Sequence, residues 1–212
     1  MPRKKFYPSA DCPYHVTART GNKEWFDVPM DFVWSVFSDY LHFIWRAYDV
    51  RIHSFVLMSN HFHMLISTPE ANLDKAMNYL MREVSKRISE KSGRINQVFG
   101  GPYYWSVIKN SVHYQYAYKY VYRNPVHAGI CNKVEEYKYS TLRGLMGMDY
   151  LYIPAYDNLG LIQNGCHQLD WLNEAFDVES QEYIRKALKK REFALPRDEH
   201  SHRPNKLESR IF

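Results

Sequence analysis

The chain has few cysteines and no long apolar run. Its three cysteines, Cys12, Cys131 and Cys166, are odd in number and far apart, so they indicate neither a disulfide framework nor a CxxC metal site. No apolar stretch approaches the length of a membrane span, and the charged N-terminus is not followed by the apolar region of a secretion signal. We therefore expect an unexported protein that works in a reducing cytoplasm and has no membrane partner.

Charge and aromatic content favour a polyanionic partner without requiring one. The formal net charge is +5, and aromatic residues make up 16% of the 212-residue chain, with 18 Tyr and 11 Phe. This aromatic share is more than packing alone would suggest. A mildly basic balance fits nucleic acid, although many ordinary proteins share it. The length fits one well-buried domain with appendages.

Apolar periodicity predicts alternating strands and helices over the first half of the chain. Short β-branched runs predict strands, and apolar residues that recur every three or four positions predict helices. A Ser-Asn pair joins two of the strands as a tight hairpin. The predicted strands are 14–19, 50–58, 61–67 and 103–108, and the predicted helices are 30–48 and 73–92. This is the split βαβ order of an α+β, ferredoxin-like sandwich, with an antiparallel sheet and helices on one face.

The segment 114–122 fits two structures equally well. Tyrosine stands at every second position, which matches a strand. However, Tyr116 and Tyr120 are spaced four residues apart, the segment contains good helix formers, and Asn124-Pro125 would serve as a helix end. The residues alone leave both structures open.

His61-Phe62-His63 is the sharpest local feature of the sequence. In a strand, residues two apart point to the same face, so both imidazoles can converge on one metal ion while Phe62 packs on the other side. The alternative is that they are two polar residues on a solvated strand face. The other such pair, His200 and His202, lies in a charged tail that offers no scaffold.

Two imidazoles need at least one further ligand, and Asn124 offers an oxygen. Oxygen ligands suit a hard ion such as Mg²⁺ or Mn²⁺. If segment 114–123 is a helix, Tyr120 and Asn124 lie one turn apart on one face. A phenol would then stand beside a metal-bound phosphate, as a nucleophile next to a Lewis acid.

Two segments resemble a known family of DNA enzymes. The strings FVLMSNHFHMLI at 55–66 and YVYRNPVHAGI at 120–130 are similar to the single-tyrosine HUH transposases, and particularly to their REP-associated, IS200-like branch. YHVTAR at 14–19 and YSTLR at 139–143 support the resemblance. Together these motifs cover roughly residues 10–145.

The resemblance implies a ferredoxin-like catalytic domain with a helical nucleophile segment. Position by position, it implies His61, His63 and Asn124 as ligands of Mg²⁺ or Mn²⁺. It implies Tyr120 as the nucleophile that cleaves and rejoins single-stranded DNA through a 5′-phosphotyrosine intermediate. The expected substrate carries a hairpin at the end of a mobile element, and the implied location is the bacterial cytoplasm, in association with the nucleoid. Tyr116 remains an alternative nucleophile within the tyrosine-rich segment.

We expect the chain to divide at residue 145. Residues 1–145 would form the HUH transposase catalytic domain, and residues 146–212 a C-terminal appendage. A helix is predicted between Leu172 and Phe193, and the charged tail from Pro196 onwards is expected to be extended or disordered. The predicted appendage helix carries the basic residues Arg185, Lys186, Lys189, Lys190 and Arg191.

Three other functions compete with this interpretation. One is a non-catalytic descendant that only binds hairpin DNA, and another is a rolling-circle-type HUH nickase. The third is a 2H-type phosphoesterase, because His15-Val-Thr17 matches one of its two motifs.

In a DNA enzyme, basic residues of the second helix and the tail would neutralise phosphates, and rings such as Trp105 would stack on bases. Both a monomer and a homodimer are compatible with the sequence.

Overall fold

A computed structural model describes residues 8–157, 166–197 and 205–209. The second His-x-His pair, at 200 and 202, lies outside the described residues. The strands are β1 (Tyr14–Arg19), β2 (Arg51–Leu57), β3 (His61–Ser67) and β4 (Tyr104–Val107). The α-helices are α1 (Met30–Tyr48), α2 (Leu73–Ser92), α3 (Ser111–His127), α4 (Thr141–Leu145), α5 (Cys166–Asn173) and α6 (Val178–Ala187). Among the described residues, no helix combines the length and the apolar character that crossing a membrane requires.

The strands form one antiparallel sheet in the order β2-β3-β1-β4. The central strands β3 and β1 pair so that His63 lies opposite Thr17 and His61 opposite Arg19. This order, with α1 and α2 as the two crossovers, is that of a split βαβ sandwich. The predicted ferredoxin-like α+β fold is confirmed.

Each face of the sheet has its own apolar core. Helices α1 and α2 pack on one face, as predicted, and there they cover the fully buried ring of Phe62. Helix α3 packs on the opposite face, against Val56 and Leu65. Because side chains alternate along a strand, His61 and His63 lie on the face that α3 covers.

The tyrosine-rich segment is helical. Helix α3 begins after Asn110, whose side-chain oxygen accepts a hydrogen bond from the His113 backbone N–H at 2.7 Å. Tyrosines at every second position point in several directions around a helix. They are tolerated here because α3 is buried on both sides, between the sheet and the C-terminal elements. The described ring positions Tyr114, Tyr116, Tyr118 and Tyr122 are accordingly all buried.

The expected helix end at Asn124-Pro125 is wrong, since α3 continues to His127. Pro125 has no N–H, so the carbonyl of Val121 loses its helical donor. The side-chain amide nitrogen of Asn124 lies 2.8 Å from the carbonyl oxygen of Tyr120 and 3.4 Å from that of Val121. The asparagine side chain thus gives the Val121 carbonyl a long hydrogen bond in place of the missing backbone donor.

The C-terminal part packs onto α3. The helix expected between Leu172 and Phe193 is present as α6, which begins after Asp177, whose side chain accepts a 2.7 Å hydrogen bond from the Ser180 N–H. Helix α5, which ends at Asn173, precedes it. The described tail residues 205–209 differ from an extended chain. Leu207 is fully buried there, and its carbonyl accepts a 2.8 Å hydrogen bond from the Tyr116 hydroxyl. The division at residue 145 stays a prediction.

Two neighbouring glycines offer a matched test of the packing that leads into β4. A Cβ at Gly100 would lie 2.9 Å from the Cα of Gly21, whereas a Cβ at Gly101 would have nothing within 4 Å. We expect Gly100→Ala to lower the free energy of unfolding by about 1–3 kcal/mol because backbone has to shift. Gly101→Ala should change it by less than about 0.5 kcal/mol. Urea denaturation checks this, and equal midpoints for the two variants would contradict it.

Candidate active site

A cavity of about 640 Å³ opens between the sheet and the two helices α3 and α6. Strand β3 contributes His61 and His63 to its lining, and α3 contributes Tyr120 and Asn124. The four residues predicted from two distant segments of the sequence therefore line one cavity. Their chemical roles stay predictions.

The ring of His61 is held by the hairpin turn that precedes it. Its Nδ1 lies 2.6 Å from the side-chain oxygen of Asn60, and the Asn60 amide in turn donates to the carbonyl of Lys23 at 2.7 Å. Because Nδ1 donates to that oxygen, Nε2 of His61 keeps its lone pair. Burial lowers the pKa of His61 to about 4, so the ring is neutral near pH 7 and able to serve as a ligand.

His63 is paired with a second buried histidine. Its Nδ1 lies 3.0 Å from Nε2 of His15, and the two rings are 8% and 2% exposed. Burial lowers the pKa of His15 to about 3 and, helped by the neighbouring positive groups, that of His63 well below its ordinary value. Both rings are therefore neutral. When His63 Nδ1–H donates to His15, Nε2 of His63 is left with a free lone pair.

Tyr120 stands edge-on against this histidine pair. Its ring centroid is 5.7 Å from that of His63 and 6.1 Å from that of His15, with interplanar angles of 86° and 84°. Burial raises the pKa of Tyr120, while the nearby positive charges of Arg185 and Arg19 lower it. The phenol is consequently protonated near pH 7 and has to lose its proton during any nucleophilic attack.

Tyr116, the alternative nucleophile, lies elsewhere. Its side chain is fully buried in the core between α3 and the C-terminal elements, and its hydroxyl donates to the carbonyl of Leu207. It does not line the cavity that contains His61 and His63. Of the two candidate nucleophiles, Tyr120 therefore lines the cavity with the two histidines, and Tyr116 does not.

The orientation of the Asn124 amide follows from the proline beside it. Its nitrogen donates to carbonyls of α3, as described above, and only the nitrogen is able to do so. The oxygen remains as an acceptor without a hydrogen-bond partner among the described residues. Two imidazole nitrogens and one amide oxygen suit a divalent ion that keeps water or phosphate oxygens as its other ligands.

No carboxylate belongs to this donor set. Within the described ranges, no group of three or more His, Cys, Asp or Glu side chains is arranged to hold a metal ion. A metal ion in this cavity would thus depend on the Asn124 oxygen in addition to His61 and His63. These residues fit such an ion, because each retains one uncommitted donor atom towards a shared cavity.

The side chains that line the cavity carry positive charge, and two of them, Arg185 and Lys189, come from the C-terminal part of the chain. Arg19 of β1 and the C-terminal residues Arg185 and Lys189 line it, and none of the described Asp or Glu residues does. The sequence predicts phosphate contacts from the second helix and the tail, but α2 packs on the opposite face of the sheet. The signal that could have identified α6 is the spacing of Arg185, Leu188 and Lys189, which falls on one helical face.

The aromatic ring at the cavity also differs from the expected one. Trp105 packs edge-on against Tyr14, with centroids 6.0 Å apart, and the guanidinium carbon of Arg191 lies 4.5 Å above its ring. Its neighbour Tyr104 lines the cavity and is 70% exposed. The side chain placed to stack on a base is therefore Tyr104 rather than Trp105.

The geometry does not favour the 2H phosphoesterase interpretation. The Thr17 hydroxyl donates to the carbonyl of Phe62 at 2.6 Å, and His15 is bonded to His63. The two polar groups of the His-x-Thr motif are thus engaged in holding β1 and β3 together. They support the His61–His63 strand instead of forming a separate site.

Comparison with known proteins agrees with the motifs. The family described as "Transposase IS200 like" matches residues 9–124. A REP-associated tyrosine transposase of Escherichia coli (strain K12) is 29% identical in an alignment of 106 positions that covers 47% of this chain and 62% of the relative. The chain thus aligns with less than two thirds of that relative's length.

A solved structure of a REP-associated tyrosine transposase bound to a REP hairpin has a similar fold. The TM-score is 0.57 at 18% sequence identity, and the match covers 74% of this chain and 94% of the other. At this identity the likeness supports the fold. Together with the family match, it confirms the resemblance recognised in the sequence.

Proposed function

The chain belongs to the IS200-like transposase family, and we propose that it cuts and rejoins single-stranded DNA through a covalent bond between Tyr120 and a 5′-phosphate. In this proposal His61, His63 and Asn124 hold a Mg²⁺ or Mn²⁺ ion beside the phosphate. The preferred substrate is a strand that carries a hairpin, since a structurally similar relative was solved with a REP hairpin.

One observation carries the proposal. A single cavity is lined by Tyr120, by the neutral imidazoles of His61 and His63 and by three cationic side chains, and no carboxylate is present among its described lining residues. A cavity of this charge favours a phosphodiester and disfavours a positively charged ligand. A tyrosine beside the two histidines supplies the nucleophile that phosphoryl transfer needs.

The chemistry follows from these groups. The Tyr120 oxygen bonds to phosphorus as its hydroxyl proton leaves, the bond from phosphorus to the 3′-oxygen breaks, and that 3′-oxygen takes up a proton. The products are a 5′-phosphotyrosine and a free 3′-hydroxyl. A bound divalent ion would offset negative charge that develops on the phosphate oxygens. The new ester conserves the energy of the broken one, so a 3′-hydroxyl rejoins the DNA by the reverse reaction.

Two further side chains of the cavity help to hold the strand. Arg19 lies opposite His61 in the sheet register and offers a charge-assisted hydrogen bond to phosphate. Tyr104 presents an exposed ring at the cavity, where stacking on an unpaired base is favourable for any sequence. A paired base cannot reach such a ring, which favours single-stranded over duplex substrate.

Cleavage of labelled oligonucleotides tests the proposal. The substrates are hairpins with single-stranded flanks, taken from repeats near the gene, and the control is the same sequence as a full duplex. We expect cleavage of the hairpin strand in Mn²⁺, none in EDTA, and recovery when Mn²⁺ is restored. Tight hairpin binding without cleavage in Mn²⁺ or Mg²⁺ would instead support the binding-only descendant.

The pairing of His15 with His63 gives a separate prediction about metal binding. His15→Phe keeps a buried ring but removes the hydrogen bond that orients His63. Outer-shell partners of this kind contribute roughly 10–100-fold to metal affinity, so we expect a loss of that size for Mn²⁺. Calorimetric titration measures it. His42→Phe is the control, because His42 stacks on Tyr152 away from the cavity, and equal affinities for the two variants would refute the role of His15.

A further inference from the structure

The C-terminal helix α6 reaches the candidate active site from outside the segment that matches the family. The family match ends at residue 124, whereas Arg185 and Lys189 line the same cavity as Tyr120. Helix α6 is fixed in this position because Ile184 and Ala187 are fully buried in the core that it shares with α3. The two cations are therefore held by packing and not by a loose chain end.

Arg185 is at present bound to a carboxylate of its own helix. Its Nε and one terminal nitrogen lie 2.7 and 2.8 Å from the two oxygens of Glu182. Both side chains are well exposed, at 45% and 38%, and an exposed ion pair of this kind contributes little to stability. Breaking it to bind another anion is correspondingly easy.

The geometry of that ion pair matches a phosphate. A guanidinium presents two parallel N–H donors, which fit either the two oxygens of a carboxylate or two oxygens of a phosphodiester. Glu182 does not line the cavity, whereas Arg185 does. A phosphate that enters the cavity therefore finds the arginine already at its edge, paired with a solvent-exposed carboxylate that it can replace.

Lys189 and Tyr120 support the same location. Lys189 makes no ion pair within the part of the chain that the structure describes, and it lines the same cavity from just beyond the C-terminal end of α6. Arg185 and Tyr120 line one cavity, so a DNA strand bound there meets both the cation and the phenol.

We propose that Arg185 exchanges Glu182 for a phosphate of the DNA strand lying against Tyr120, and that Lys189 binds a neighbouring phosphate. This inference rests on the proposed function. It makes α6 part of the DNA-binding site and makes Glu182 an internal competitor of the DNA. Residues beyond the family-matched segment then determine how tightly the strand is held.

Three single substitutions in α6 distinguish phosphate binding by Arg185 from a purely structural role of that residue. Arg185→Gln removes the cation, Glu182→Gln removes its competitor, and Lys186→Gln is the matched control. Lys186 lies 3.9 Å from the same Glu182 and is 61% exposed, but it does not line the cavity. Binding is measured by fluorescence anisotropy of a labelled hairpin strand in EDTA, so that cleavage does not interfere.

We expect opposite effects from the two informative variants. Arg185→Gln should weaken binding by about 10-fold and lower the slope of log affinity against log salt by about one. Glu182→Gln should tighten binding several-fold, which misfolding cannot imitate. Lys186→Gln should remain within about two-fold of the wild type, because a single exposed charge outside the site contributes only general attraction.

Parallel cleavage by the wild type in Mn²⁺ distinguishes the two proposals. If the wild type cuts DNA but Arg185→Gln binds as well as Lys186→Gln, the role of Arg185 is refuted. Binding by Glu182→Gln that is no tighter than wild type refutes the exchange. If the wild type binds but never cuts, the proposed function fails, while a difference between Arg185→Gln and Lys186→Gln still supports the phosphate site.

Discussion

Replacing Tyr120 with phenylalanine is expected to abolish the covalent protein–DNA adduct. The substitution removes only the oxygen that bonds to phosphorus, and the ring keeps its edge-on packing against His15 and His63. Loss of a nucleophile that nothing replaces lowers the rate by roughly a thousand-fold or more. Denaturing gels of wild type and variant incubated with a labelled hairpin strand in Mn²⁺ measure the adduct.

Tyr116→Phe is the matched control for this variant. It removes a hydroxyl four residues away in the same helix, which donates to Leu207 and not into the cavity. We expect a cost of about 1 kcal/mol in stability from the lost hydrogen bond, with adduct formation retained. An adduct that persists at wild-type level in Tyr120→Phe but disappears in Tyr116→Phe would transfer the nucleophile to Tyr116.

Replacing His61 with alanine is expected to eliminate metal-dependent cleavage. The variant removes the Nε2 lone pair of His61, which is free to bind a metal ion because Nδ1 is hydrogen-bonded to Asn60. The loss of Mn²⁺ affinity should exceed the roughly 10–100-fold that outer-shell partners contribute. Cleavage as a function of Mn²⁺ concentration measures the effect, and DNA binding in EDTA should be retained.

His63→Ala should show the same loss of cleavage together with a loss of stability. Its removal leaves the buried His15 Nε2 without a partner, and an unsatisfied buried polar atom costs about 1–3 kcal/mol. His42→Ala serves as the control for both variants. Unchanged Mn²⁺ dependence in His61→Ala and His63→Ala would mean that these residues do not bind the ion.

The sheet and its two crossover helices could be predicted from the sequence because their signals are local. The bounds of β1 and α1 coincide with the predicted ranges, and the ends of β2 and β4 differ by one residue. Apolar residues repeat with the period of each element, and the Ser59-Asn60 turn sets the pairing of β2 with β3. The shared face of His61 and His63 follows from strand alternation alone.

The helical state of α3 could not be derived in this way. Alternating tyrosines favour a strand locally, and the helix is stable only because both of its sides are buried by distant parts of the chain. Where it continues past Pro125, the side-chain amide of Asn124 donates to the carbonyls of Tyr120 and Val121. Local propensity carries no information about either contact, so the family resemblance was needed to favour the helix.

The contribution of α6 to the site was missed for a similar reason. The basic residues between 185 and 191 were visible in the sequence, but their positions relative to Tyr120 depend on tertiary packing. The structure places Arg185 and Lys189 in the cavity, whereas Arg191 lies over the ring of Trp105. A charge pattern identifies a basic helix, and only the fold identifies which of its charges face a substrate.

Mapping the attachment point of the DNA by mass spectrometry tests the central claim most directly. Trypsin cuts after Lys119 and Arg123 and so places Tyr120 in a short peptide, separate from Tyr114, Tyr116 and Tyr118. After nuclease trimming of the adduct, we expect the residual nucleotide on the peptide 120–123, with fragment ions that assign it to Tyr120. A nucleotide on Tyr122 or on the preceding peptide would contradict the account.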